Sequence, residues 1–143
     1  MDFIFLPPGL SGDQIQEYRK KCDCIMIDFK KLQTTDSYII DDESFFKLQP
    51  LRLVVIRLKD FNYQWGILKD RFRRNTMIVA SDIDVRSYPE ISQYLESQGV
   101  ALLMCRSEGN GLSLESLTKS LSSLKFKSIL VEDRIDLIKE FSM

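Results

Sequence analysis

Apolar residues recur along this chain in short runs, separated by stretches with helical spacing. Residues 100–104 (Val-Ala-Leu-Leu-Met) and 128–131 (Ser-Ile-Leu-Val) are two such runs, of strand length and too short for a helix. Between them Leu114, Leu117, Leu121 and Leu124 repeat every three or four residues, the period of one helix face. A strand–helix–strand unit of this kind predicts two parallel strands in one sheet.

The same alternation runs through the rest of the chain. Residues 2–6 predict a short strand, closed by Pro7-Pro8-Gly9. Ser11 and Gln14 have the spacing of a capping box. The helix they open turns Ile15 and Tyr18 inward and ends in Arg19-Lys20-Lys21, bases that suit the negative end of a helix dipole. Residues 24–27 are a buried strand, 51–58 the strongest strand with its β-branched centre, and 76–80 another. Ser87-Tyr-Pro-Glu90 predicts a second capping box with proline in the first turn. The helix after it presents Ile91, Tyr94 and Leu95, and stops at Gly99. Ser113 caps the helix of the opening unit, with Glu115 near its positive end. A closing amphipathic segment from Asp133 carries Ile135, Leu137, Ile138 and Phe141. Residues 28–50 predict a long loop with at most a short element, and 59–75 are mixed. Alternating strands and helices make this an α/β chain with a mostly parallel sheet.

A chain of 143 residues suits one domain, here residues 1–143, and a domain of this size hides roughly 68–70% of its unfolded surface. Twenty bases against twenty-one acids leave a formal charge of −1, so there is no global attraction to nucleic acid or an anionic membrane. No apolar run is long enough to span a bilayer. The odd count of cysteines (Cys22, Cys24, Cys105) and the lack of a signal-like leader favour reduced, buried thiols and a cytoplasmic protein. Histidine is absent, which removes Ser–His and Cys–His nucleophiles and histidine-based metal sites. No metal site is expected.

Ligands of open α/β sheets sit beyond the carboxyl ends of the strands. Those ends fall at residues 28–31, 59–61, 81–84, 106–111 and 132–134. Glu108-Gly-Asn-Gly111 lies between a strand and a helix, so Gly109 and Gly111 either let a backbone approach a phosphate or make a plain turn. Glu132 and Asp133 stand at a strand end, and Asp133 also suits a helix cap. Lys69-Asp-Arg-Phe-Arg-Arg74 reads as a phosphate grip or a solvated face, and Asp41-Asp-Glu43 as a solvated loop.

Taken in order, these elements resemble the reductase domain of bacterial riboflavin-biosynthesis enzymes. The resemblance rests on Ser11-Gly12 at a helix start, on Arg19-Lys-Lys-Cys-Asp-Cys-Ile-Met-Ile27, and on Gln49-Pro-Leu-Arg-Leu-Val-Val55. It continues through residues 76–80, Leu95-Glu-Ser-Gln-Gly-Val100, Leu112-Ser-Leu-Glu-Ser-Leu117 and Ser128-Ile-Leu-Val-Glu132. It implies a dihydrofolate reductase-like three-layer α/β sandwich, a homodimer, and NADPH-dependent reduction of a pyrimidine ribose-phosphate. Substrate contacts would fall on Ser11, Gly12, Asp36 and Glu132. The cofactor, a nucleotide-like ligand, would meet Gly109, Gly111, Asp133 and Arg134. No residue is assigned to catalysis.

The departures fall on functional positions. Asp28 and Lys31 replace a glycine and a threonine of the family, Arg57 replaces an aspartate, and Asp133-Arg134 replaces a Gly-Gly step. Long charged side chains there fill space that glycine leaves to a ligand. The expectation is therefore a degenerate reductase homologue with altered or lost catalysis. The alternative is a protein-interaction or assembly module on the same fold.

Overall fold

The computed structural model describes residues 1–34, 51–69, 73–132 and 134–141. Strands β1 (Asp2–Phe5), β2 (Cys24–Asp28), β3 (Leu51–Val55), β4 (Thr76–Ser81), β5 (Ala101–Cys105) and β8 (Ser128–Val131) form one sheet in the order β1-β8-β2-β3-β4-β5. Every pairing in it is parallel. A small antiparallel hairpin, β6 (Ser107–Glu108) and β7 (Gly111–Leu112), projects beyond β5. Helices α1 (Gly12–Lys20), α2 (Phe29–Thr34), α3 (Asp82–Ser87), α4 (Pro89–Gln98) and α5 (Leu114–Ser123) supply the connections. This is the α/β fold with a mostly parallel sheet that the alternating pattern predicts.

The central strands are buried on both faces, and their apolar residues divide successively between two cores. Ile25, Ile27, Val54, Ile56, Ile78 and Ala80 pack with Ile91 and Leu95 of α4 and with Phe29 and Leu32 of α2. Cys24, Met26, Leu53, Val55, Val79, Ile129 and Val131 pack on the other face with Leu117 and Leu121 of α5. Each buried aliphatic side chain contributes about 1.5–3 kcal/mol. The topology accounts for the two layers. From β2 to β5 the chain steps in one direction, whereas β5 to β8 returns across the sheet to insert between β1 and β2. Right-handed crossovers then place the return helix on the opposite face. The strand–helix–strand unit of residues 100–131 thus spans the sheet, and its two strands are not neighbours.

The capping box of α1 forms as its spacing predicts, with Ser11 Oγ accepting from Gln14 N–H and Gln14 Oε1 accepting from Ser11 N–H. Gly99 ends α4 in the left-handed conformation, at φ 73°. Ser113 caps α5 by accepting from Ser116 N–H.

Three local expectations are corrected. The strand from residue 51 stops at Val55, because the Asp84 carboxylate accepts from Leu58 N–H at 2.8 Å and turns the chain into a 3₁₀ turn at Leu58–Asp60. Ser87 does not cap α4. It is the last residue of α3, which Ser81 caps, and its hydroxyl donates to the Ile83 carbonyl. The closing segment is not a helix: Asp136 N–H and the Leu137 carbonyl bond to neighbouring elements, and only Lys139–Phe141 forms a 3₁₀ turn. The apolar patches at residues 38–40 and 45–46 and the acidic run 41–43 lie outside the described residues.

Candidate functional site

The carboxyl ends of β8 and β2 are where the chain's continuations part. After β2, Phe29 and Leu32 join the α4 face. After β8, Ile135 and Ile138 join the α5 face and are fully buried there. Adjacent strands that diverge in this way leave a crevice at their carboxyl ends, the usual ligand position of an open α/β sheet.

Here that crevice is bridged by the protein itself. Glu132 N–H donates to the Met26 carbonyl at 3.1 Å. The Asp28 carboxylate, only 2% exposed, accepts from Lys30 N–H at 3.0 Å and from Asp136 N–H at 3.3 Å. It therefore caps the first turn of α2. Burial raises the Asp28 pKa above the ordinary carboxylate value, against the pull of those two N–H groups and the Lys30 charge. Lys30 Nζ lies 2.6 Å from Asp136, and Arg134 Nε lies 2.8 Å from it. The hydrogen bond from Lys30 holds the Asp136 carboxyl below its usual range.

Glu132 is held from below. Arg19 of α1 donates to its two oxygens at 2.6 and 2.7 Å, with the carboxylate side chain 1% exposed. Sequence reasoning placed Arg19 with the dipole-facing bases of α1. The overlooked signal is its spacing: Arg19 follows Ile15 by four residues and so shares its inward stripe. Further along the rim, Arg57 Nε lies 3.1 Å from Asp84 Oδ2, and Arg57 Nη1 donates to the Asn110 carbonyl at 3.0 Å. Arg57 thus ties the end of β3 to α3 and the hairpin.

The sequence-derived site residues come together only in part. Glu132 and Arg134 line a cleft of about 330 Å³ with Phe5, Pro7, Pro8 and Phe141. Gly109 lines a separate recess of about 450 Å³ with Glu108, Lys139 and Glu140. Gly111 faces the closing segment: a Cβ there would collide with the Leu137 carbonyl, and Leu112 N–H donates to that oxygen at 2.8 Å. Ser11 and Gly12 sit at the exposed start of α1 and line neither recess. Asp36, Asp133 and residues 70–72 of the basic run lie outside the described residues.

All three cysteines are buried and free. Burial pushes Cys24 up to about 12 and Cys105 up to about 11, so neither is a ready nucleophile at neutral pH. Among the described residues no three Cys, Asp or Glu side chains gather as metal ligands would. No helix among them is long and apolar enough to cross a membrane.

No protein-family model and no curated protein matches the sequence. Among solved structures, the chain is similar to a pyrimidine reductase-like protein from Corynebacterium diphtheriae, with a TM-score of 0.63 and 13% identity over 92% of this chain. It spans 63% of that protein's chain. The likeness is one of fold: this chain has the α/β, mostly parallel architecture of the dihydrofolate reductase-like pyrimidine reductases.

Proposed function

We propose that this chain is a reductase-fold protein whose dinucleotide crevice is closed, and that it serves as a non-catalytic interaction or assembly module. One observation carries the reading. The crevice between the carboxyl ends of β8 and β2 is bridged by residues 134–138, with the buried Asp28 carboxylate at its floor. A carboxylate there repels phosphate, and bridging backbone leaves no room for a pyrophosphate at the start of α2.

A retained reductase is the second reading, favoured by the cleft that joins Glu132 to Arg134. In it Glu132, Asp36, Ser11 and Gly12 contact a pyrimidine ribose-phosphate. Asp133, Arg134, Gly109 and Gly111 then meet NADPH, and the hydride chemistry belongs to the nicotinamide.

Titration with NADPH, followed by nicotinamide fluorescence, separates the two. No saturable binding is expected from the native protein, and saturable binding overturns the closed-crevice reading. Binding that appears only when Asp133 and Arg134 are both changed to glycine would identify those side chains as the obstruction. The homodimer is a proposal by the same resemblance, checked by light scattering on the eluted protein.

A further inference from the structure

We propose that residues 134–141 form a displaceable strap, an internal occupant of the crevice that opens as a unit while the sheet stays folded. The proposal rests on the closed-crevice reading and adds how the closure is built. Among the described residues, the strap pairs with no strand of the sheet. Its backbone reaches the rest of the molecule through Asp136 N–H to Asp28 and Leu137 carbonyl to Leu112 N–H. Within the segment, Ile138 N–H donates to the Ile135 carbonyl and Phe141 N–H to the Ile138 carbonyl. The ion pair of Lys30 with Asp136 is exposed and contributes little to the closure. What seats the strap is apolar: Ile135 and Ile138 enter the α5-side core, and Phe141 meets Phe3 and Phe5 edge-on at 5.0 and 5.1 Å.

Gly111 is the clasp. Its missing Cβ lets the Leu137 carbonyl lie against the hairpin, and that approach aligns the bond from Leu112. The anchor is apolar (Ile135 and Ile138 fully buried, Leu137 against both cores), but among the described residues few long-range backbone bonds tie the segment in, a mark of one that opens below the global unfolding free energy.

Native-state hydrogen exchange in rising, sub-denaturing guanidinium tests this on the unaltered protein. The amides of Asp136 and Leu112 are expected to exchange at least roughly tenfold faster than the sheet amides of Val54 and Ile78, with little dependence on denaturant. Exchange of all four through one common, denaturant-dependent opening overturns the strap and makes the segment plain core. Gly111→Ala is the second arm. It should raise exchange across residues 134–141 and leave β2, β3 and β4 protected, whereas a variant that loses protection everywhere, or fails to fold, counts against the proposal. NADPH binding by the native protein would instead remove the closed-crevice reading, whichever way the exchange falls.

Discussion

The two halves of the sheet's carboxyl rim are both held by an arginine and a carboxylate, yet they are built differently. On the β8–β2 side, Arg19 and Glu132 meet in a bidentate pair with almost no solvent contact. On the β3–β4 side, Arg57 is 31% exposed, and Asp84 also accepts from a backbone N–H. The first arrangement rests on matching two buried charges, the second on shaping a turn. A buried charge that loses its partner has no recourse to water; Arg57 keeps solvent contact, and the buried Asp84 carboxylate keeps the Leu58 N–H when Arg57 is removed. The side that carries the candidate crevice is therefore the less forgiving one.

That contrast yields a ranked set of expectations. Glu132→Ala should have the largest effect, about 3–5 kcal/mol of stability, because it strands the Arg19 guanidinium in the interior. Urea denaturation measures it, and combining Arg19→Met with Glu132→Leu should return most of the loss. A single-variant loss no greater than that on the Arg57 side would erase the distinction between the two halves.

Asp84→Ala should cost less, about 1–3 kcal/mol, most of it from the Leu58 N–H left without an acceptor. Arg57→Ala should cost less again. If those two variants proved equal in thermal melts, the ion pair rather than the turn would be the important contact.

Asp28→Asn sharpens the comparison through pH. Burial raises the folded-state pKa of Asp28, so as pH falls the folded chain takes up this proton before the unfolded chain does. The stability tied to that proton is present at low pH and is lost as pH rises from the ordinary carboxylate range through the raised value. The variant should therefore gain stability relative to the native protein as pH rises through that window. Urea midpoints on either side of it check the sign, and a pH-independent difference would place Asp28 in contact with water. Lys30→Ala should do least. Its ion pair with Asp136 is exposed on both sides, and no shift in melting temperature beyond measurement error is expected.

Much of the fold was legible because it depends on patterns a linear sequence carries. The apolar runs at residues 24–27 and 76–80 mark the strands that lie covered on both faces. The Ser11–Gln14 and Ser113 caps and the Gly99 stop are local chemistry. The site was harder to read because its decisive contacts join residues far apart in the chain: Arg19 with Glu132, Asp28 with Asp136, Gly111 with Leu137. Gly111 illustrates the difficulty. In sequence it is indistinguishable from a glycine that admits a phosphate, and only the position of the closing segment shows that it admits a carbonyl. A long-range bond also helps explain why residues 134–138 do not form the amphipathic helix their spacing suggests: the Leu137 carbonyl, which a helix would offer to Phe141 N–H, is committed to the hairpin. Asp28 and Arg57 were visible as charges at strand ends, but their partners were not.

The placement of β8 between β1 and β2 also bears on how the protein is made. Phe3 pairs with Ile129 and Ile4 with Leu130, so β1 meets its sheet neighbour only after residues 6–127 have been synthesised. Strands β2 to β5 can pair with one another in the order of synthesis. Strand β1, with Phe3, Ile4 and Phe5, must wait. Long-range pairing of this kind slows folding and leaves apolar strand exposed meanwhile. A ribosome-held chain ending before residue 128 should thus offer β1 to chaperones, and release of residues 128–131 should withdraw it.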